Sequence, residues 1–131
     1  MKLLLDTHIW IWVVQRPEKV GRALLRRLAD PRSELYLSPV SIWEAGHLAR
    51  RRRVSIKSSF PEWLESALTH TPLREAPFNF AVATEAARID LPHADPGDVF
   101  LAATAIAYDL TLVTADAQLL RCSWLKTMAN E

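Results

Sequence analysis

Hydrophobic residues follow two patterns along the chain, short apolar runs and helical repeats, and the two patterns alternate. The runs at residues 2–5, 34–37 and 111–114 are typical of buried strands. Between them, apolar positions spaced three or four residues apart predict helices. This alternation, with few hairpin signals, predicts an α/β fold in which a central, mostly parallel sheet is flanked by helices on both faces.

Capping residues and prolines give the expected helix bounds. Ser38-Pro39 and Asp95-Pro96 each combine a good cap with a proline in the first turn, so a helix is expected after both pairs. Residues 124–128 are expected to form a last edge strand. The predicted helices span residues 7–15, 17–29, 39 into the arginine run that starts at residue 50, 60–68, 78–89 and 96–108, with a brief helix from residue 116.

Length and composition exclude several protein classes. A chain of 131 residues corresponds to one domain, expected over residues 1–131, and 50% hydrophobic content is too high for a disordered chain. The single cysteine, Cys122, excludes an internal disulfide framework. No apolar run approaches the ~20 residues of a membrane span. We therefore expect a cytoplasmic protein that makes no membrane contact.

The small net charge of +1 conceals an uneven distribution. Residues 1–57 contain twelve Lys and Arg against five Asp and Glu, whereas residues 58–131 contain four against ten. Such a chain suits a polyanion on one side and cations on the other, although short chains also scatter charge unevenly. Composition alone does not separate these two interpretations.

Acidic residues stand close to predicted strand ends and helix starts. Asp6 directly follows the first strand, and Asp116 comes two residues after the strand at 111–114. Glu44 lies in the helix after the second strand, and Asp98 in the first turn of the helix that Asp95 opens. Because functional sites of parallel sheets lie at the carboxyl ends of the strands, we expect these carboxylates to meet there.

Each acid also has an ordinary structural interpretation. Asp6, Asp95 and Asp116 each suit a helix cap, and Asp98 would complement a helix dipole. Glu44 matches a capping box with Ser41, but a start at Ser38 places it beyond the first turn. Taken singly, capping is the commoner role for Asp6, Asp95 and Asp116.

If the acids do converge, their charges must be neutralised. Like charges ~4 Å apart repel by about 4 kcal/mol at an effective dielectric constant of 20, so protons or a divalent cation would be needed. Clustered carboxylate oxygens suit Mg²⁺ or Mn²⁺. Such an ion orients water and polarises a phosphodiester, which indicates a metal-dependent nuclease.

Four blocks of the sequence contain the acids and their neighbours. They are Leu3-Leu4-Leu5-Asp6-Thr7-His8, Ser38-Pro39-Val40-Ser41-Ile42-Trp43-Glu44, His93-Ala94-Asp95-Pro96-Gly97-Asp98 and Leu112-Val113-Thr114-Ala115-Asp116. In order and spacing these blocks resemble the motifs of PIN-domain ribonucleases, and most nearly those of VapC-type toxins of bacterial toxin–antitoxin pairs. The resemblance extends from Leu3 to about Leu120.

The resemblance implies an acidic site made of Asp6, Glu44, Asp98 and Asp116. Asp6 and Asp98 would be the main magnesium ligands, while Glu44 and Asp116 would act directly or through water. Thr114 would help the last acid or the phosphate. The implied activity is endoribonuclease cleavage of RNA that leaves 5′-phosphate and 3′-hydroxyl ends. A small antitoxin that covers the site and a homodimer are also implied.

The sequence departs from the family pattern after Pro96. Gly97 stands where the family usually has an aromatic residue, and Val99 where it usually has arginine. We assign the ligand role to Asp98 because Asp95 is the better cap.

Basic and aromatic residues give weaker signals. The run formed by Arg50, Arg51, Arg52 and Arg53 suits contact with RNA phosphates, or it is a solvated helix end. The five tryptophans are expected in the core or in interfaces, with Trp10 and Trp12 beside Asp6 as the two to test for base stacking. His8, His47 and His93 lack metal-ligand spacing and are expected to be structural.

Three other functions fit the sequence less well. An aspartyl phosphatase needs a second Asp two residues after the first, where this chain has His8. A phosphoacceptor domain of the receiver type needs a lysine after a late strand, and none follows Thr114 closely. A non-catalytic PIN-like adaptor that binds proteins is the remaining alternative, although the presence of all four acids argues against it.

Overall fold

Five strands form one sheet in the computed structural model, which describes residues 1–92 and 94–131. The spatial order is β3-β2-β1-β4-β5, and every neighbouring pair is parallel. The sheet is thus wholly parallel among the described residues, which agrees with the predicted class. The strands are β1 (Lys2–Leu5), β2 (Glu34–Leu37), β3 (Arg74–Glu75), β4 (Thr111–Thr114) and β5 (Thr127–Ala129).

Helices connect the strands, and most begin at a side-chain cap. Ser38 Oγ accepts a hydrogen bond from Val40 N at 3.1 Å, and Asn79 Oδ1 accepts one from Val82 N at 3.1 Å. Caps of this kind satisfy amide groups that have no partner within the helix. The helices are α1 (Thr7–Gln15), α2 (Arg22–Ala29), α3 (Pro39–Arg50), α4 (Phe60–His70), α5 (Phe80–Arg88), α6 (Pro96–Ala107) and α7 (Ala117–Leu120).

The sheet has a hydrophobic core on each face because successive strand residues point to opposite sides. Leu3 and Leu5 of β1 pack in one core with side chains of α1 to α4. Leu4, between them, packs in the other core with side chains of α6 and α7. This arrangement confirms the prediction of helices on both faces.

Two predicted elements were wrong in part. Residues 17–29 are not one helix, since a 3₁₀ turn (Pro17–Lys19) precedes α2. The break occurs at Gly21, whose amide donates to Asn130 Oδ1 at 2.8 Å and where a Cβ would overlap the backbone of Glu131. The last strand lies at Thr127–Ala129 and not at 124–128. Strand β3 was not predicted, because two exposed residues carry no periodic pattern.

The order of the strands creates a crevice beside β1. The chain runs outward from β1 through β2 to β3, and then returns to place β4 on the other side of β1. Ligands of open parallel sheets bind where the order reverses in this way, beyond the carboxyl ends of the strands. Asp6 lies at this point, and its amide donates to Val113 O of β4 at 3.0 Å. Over the described part of the chain, no helix combines the length and apolarity that crossing a bilayer requires.

Candidate active site

Five carboxylates line one cleft of about 910 Å³ at the carboxyl edge of the sheet. The four predicted site acids are all among them, although they come from parts of the chain up to 110 residues apart. The fold therefore brings together the residues that the sequence analysis proposed. The acids are Asp6 after β1, Glu44 in α3, Asp95 and Asp98 at the start of α6, and Asp116 after β4.

Asp6 is held from both sides of the strand end. Its Oδ1 accepts a hydrogen bond from Thr7 N at 2.7 Å, and its Oδ2 accepts one from Thr114 Oγ1 at 2.6 Å. Burial raises the pKa of Asp6, and the hydrogen bond from Thr114 acts against this rise. Asp6 is thus both the cap of α1 and a wall of the cleft.

Thr7 positions Glu44. Thr7 Oγ1 lies 2.6 Å from Glu44 Oε1 and 2.9 Å from Ser41 Oγ. Because a hydroxyl has one proton, Thr7 donates to the carboxylate and accepts from Ser41. Burial raises the pKa of Glu44, and the hydrogen bond from Thr7 lowers it again in part. A carboxylate on the third helix is in this way fixed to the first.

Asp98 has the most strongly shifted pKa of the cleft. Its pKa is raised to about 7, first because the carboxyl group is buried and then because Asp95, Asp6, Asp116 and Glu44 repel its charge. Its backbone amide donates to Asp95 Oδ1 at 2.9 Å, so Asp95 caps α6, as the sequence predicted. Asp95 also lines the cleft beside Asp98.

Thr114 connects Asp6 to Asp116. While donating to Asp6, Thr114 Oγ1 accepts from Asp116 N at 3.0 Å, and Asp116 Oδ1 accepts from Leu119 N at 3.0 Å. Thr114 is fully buried. Its hydroxyl is therefore placed to orient the two acids, which is one half of the predicted role, and it has no exposed surface for a phosphate.

The cleft acids have no partner of opposite charge within ion-pair distance in the described residues. None of them forms an ion pair there, although the sequence is rich in arginine. Nor do the described residues include three His, Cys, Asp or Glu side chains already gathered close enough to hold an ion. The ion pairs of the described chain lie outside the cleft, at Arg32–Asp30, Arg74–Glu34, Arg88–Glu85 and Lys126–Asp109.

The carboxylates nevertheless suit a hard divalent ion. Desolvated acids that repel one another gain from a cation, and carboxylate oxygens are the donors that Mg²⁺ and Mn²⁺ prefer. The raised pKa of Asp98 agrees with this, because burial and the charges of the neighbouring acids both disfavour its ionised form. The donor set fits such an ion once the side chains turn toward a common point.

Aromatic side chains line the same cleft as the acids. Trp12 and His8 lie on α1, and Trp43 and His47 lie on α3, all lining the cleft. Trp10, one of the two tryptophans proposed for base stacking, is instead 1% exposed and packs edge-on against Trp63 at 5.3 Å. Trp43 was missed, because its sequence neighbours do not show which side of α3 faces the cleft.

Comparison with known proteins identifies the family of the chain. The model of the PIN domain family matches residues 3–125. The chain belongs to the PIN-domain family. Ribonuclease VapC22 of Mycobacterium tuberculosis is 29% identical to it over 120 residues, which cover 89% of this chain and 88% of that protein.

Solved structures share the PIN fold over the full length. VapBC2 of Rickettsia felis, bound to a promoter DNA fragment, superposes with a TM-score of 0.74 at 18% identity and covers 100% of both chains. VapBC-1 of nontypeable Haemophilus influenzae gives 0.68 at 16% identity over 98% of each chain. At these identities the likeness supports the fold alone.

The departure from the usual PIN-domain pattern at Gly97 has a local explanation. A Cβ at this position would overlap Glu44 Oε2, so the glycine gives the Glu44 carboxylate its place against the first turn of α6. His93, in the same sequence block, lies outside the described residues. His8 and His47, predicted to be structural, both line the cleft.

Only one residue of the basic run borders the cleft. Arg53 lines it, whereas Arg50, Arg51 and Arg52 are exposed outside it. The chain turns at Arg52, which has a left-handed φ of 56°, and Arg53 N then donates to Leu48 O at 3.0 Å. This is a Schellman ending of α3, and of the four arginines only Arg53, which follows it, lines the cleft.

Proposed function

We propose that the protein is a metal-dependent endoribonuclease that hydrolyses RNA phosphodiesters to 5′-phosphate and 3′-hydroxyl ends. One observation carries the proposal: four acids from distant parts of the chain line a single cleft, and none of them forms an ion pair within the described residues. Repulsion between clustered carboxylates does not stabilise a fold, whereas a cation site needs several carboxylates close together. The 29% identity to a protein named ribonuclease VapC22 supports the same activity.

Each acid has a role that its position supports. Asp6 and Asp98 would hold Mg²⁺ or Mn²⁺ directly, and Glu44 and Asp116 would bind it directly or through water. When bound, such an ion polarises the phosphodiester and lowers the pKa of a water molecule. Thr7 and Thr114 would hold Glu44 and Asp6 in place through their hydroxyl groups.

The test is cleavage of end-labelled RNAs by the purified protein, with Mg²⁺ and with EDTA, followed by analysis of the new ends. Asp6→Asn should lower the cleavage rate by at least about 100-fold, because it removes a charge needed at the metal. Its fold should persist, since asparagine also caps helices well. The matched control is Asp90→Asn, at an exposed residue outside the cleft.

Two outcomes would contradict the proposal. Cleavage that survives EDTA and persists in Asp6→Asn would exclude a metal held by this cleft. RNA left intact by the wild-type protein with Mg²⁺ would favour the non-catalytic adaptor.

We also propose that the protein acts as the toxin of a toxin–antitoxin pair, with a small antitoxin that covers the cleft, and that it forms a homodimer. The proposal is supported by the similar structures that carry the name VapBC. Expression of the wild-type chain should arrest growth of a bacterial host, and Asp6→Asn should not. Growth arrest by both the wild-type chain and Asp6→Asn would mean that toxicity does not depend on RNA cleavage.

A further inference from the structure

The outer face of Trp43 is an aromatic surface that the acidic cleft itself does not explain. Its side chain is 62% exposed, although tryptophan is among the most costly side chains to leave in water. His47, one helical turn further along α3, stacks on it with ring centroids 5.2 Å apart and an interplanar angle of 11°. The stack thus has one closed end at His47 and one open end at Trp43.

The other tryptophan of the cleft offers no comparable surface. Trp12 is half-buried, and Lys19 Nζ lies 5.6 Å from the centroid of its ring. His8 lies against it as well, at 6.0 Å between centroids. Trp43 is therefore the tryptophan of this cleft that has a face free for a further ring.

Trp43 is also placed beside the proposed chemistry. It directly precedes Glu44, and both line the same cleft. Arg53, which follows the end of the same helix, lines that cleft too. A ring stacked on Trp43 would thus share the cleft with the acids and with a cation that can bind a phosphate.

We propose that Trp43 is a base-stacking platform, on which an unpaired RNA base next to the scissile phosphate continues the Trp43–His47 stack. This inference rests on the proposed nuclease function and assigns Trp43 a contact with an unpaired base. A base in a duplex is already stacked on both faces, so only an unpaired base can take this place. The acids share the cleft with Arg53, which favours RNA with a bound cation over a basic peptide, because Arg53 attracts a phosphate and repels a basic side chain.

The experiment uses a single-stranded RNA that contains the mapped cleavage site, and a second RNA that lacks one base beside that site. Trp43→Ala should raise KM for the first RNA about 10-fold, because stacking of one base contributes about that factor. Removal of the base should raise KM of the wild-type protein by a similar factor. The two changes together should have no further effect, since both remove the same contact.

Two variants serve as controls. Trp43→Phe should retain most of the affinity, because phenylalanine also offers a stacking face. Trp124→Ala removes another exposed tryptophan, 47% exposed and outside the cleft, and should leave KM unchanged. Thermal unfolding should be alike in all variants, since the truncated side chains are exposed.

The inference is overturned if Trp43→Ala leaves KM unchanged or if its effect adds fully to that of the missing base. It is also overturned if Trp43→Ala weakens only antitoxin binding, which would assign the surface to that partner. Absence of cleavage by the wild-type protein is a distinct result, because it removes the nuclease function itself.

Discussion

Three carboxylates of the cleft each do two things at once. Asp6, Asp95 and Asp116 all accept a hydrogen bond from an amide in the first turn of the helix that follows, and all three line the cleft. The capping interpretation and the active-site interpretation are therefore compatible. A cap fixes the side chain at the strand end, and the strand end is where the cleft lies.

Asp98 makes the stability of the metal-free protein depend on pH. Its pKa is raised from 3.8 to about 7 in the folded protein, so the unfolded chain loses the proton first as the pH rises. The free energy of unfolding should therefore decrease between about pH 4 and pH 7. Asp98→Asn should flatten this decrease and raise the Tm at pH 7, because it removes a buried charge.

Thermal unfolding in EDTA across this pH range checks the prediction. Glu65→Gln, at an exposed position of α4, is the control and should keep the wild-type profile. An Asp98→Asn profile identical to that of the wild type would show that Asp98 is not destabilised by its neighbours.

Helices α3 and α6 meet at the site through Glu44 and Gly97. Gly97 lies in the first turn of α6, where a side chain would occupy the space of Glu44 Oε2. The opposite oxygen of Glu44 accepts from Thr7 of α1. The position of the Glu44 carboxylate therefore depends on how the three helices α1, α3 and α6 pack together.

Gly97→Ala should displace the Glu44 carboxylate with little change in the stability of the protein. Alanine favours a helix by up to about 1 kcal/mol over glycine, which offsets the cost of moving the Glu44 carboxylate, so the Tm should change little. RNA cleavage should fall by about 10- to 100-fold if Glu44 acts as proposed, because the displaced carboxylate is misplaced for the reaction.

The matched control is Gly46→Ala in α3. Its Cβ would lie 3.3 Å from Phe60 Cε2, outside the cleft, so cleavage should stay near the wild-type rate. If Gly97→Ala cleaves RNA as fast as Gly46→Ala does, the contact with Glu44 is not required.

At the scale of the whole molecule, the cleft lies where a basic and an acidic part of the chain meet. Asp6 and Glu44 come from the basic residues 1–57, and Asp98 and Asp116 from the acidic residues 58–131. The two parts join at the β1–β4 pair. The cleft thus contains acids from both parts and Arg53 from the first, a combination suited to RNA held with a cation.

The basic part should determine how strongly salt weakens RNA binding. Each phosphate contact adds about 0.7 to the slope of log affinity against log salt for single-stranded nucleic acid. Arg53→Gln should reduce the slope by about this amount, because Arg53 lines the cleft. Arg26→Gln, at an exposed arginine of α2 outside the cleft, should leave it unchanged.

The measurement is RNA binding by Asp6→Asn, which should not cleave, at fixed Mg²⁺ and increasing KCl. A slope for Arg53→Gln equal to that of the parent protein would mean that Arg53 makes no phosphate contact. An equal reduction of the slope in Arg53→Gln and Arg26→Gln would mean that RNA contacts both arginines and lies over a broad basic surface.

The amino-acid sequence alone was enough to predict the strands that hold the acids and the caps that start the helices. These signals are local: an apolar run ends at Asp6, and Ser38 and Asp95 each precede a proline. Strand β3 and the break at Gly21 were not predicted, because each depends on a segment distant in sequence. Leu37 and Asn130 supply those contacts.

Which side chains face the cleft depends on how the helices pack in three dimensions, and the local sequence does not show it. Trp10 and Trp12 are two positions apart, about 200° around a helix, so one is buried and the other lines the cleft. Helix α1 is apolar on most sides, and its sequence therefore does not show which face meets the sheet. The same reason concealed the exposed face of Trp43, since exposure depends on packing between helices and not on the order of residues.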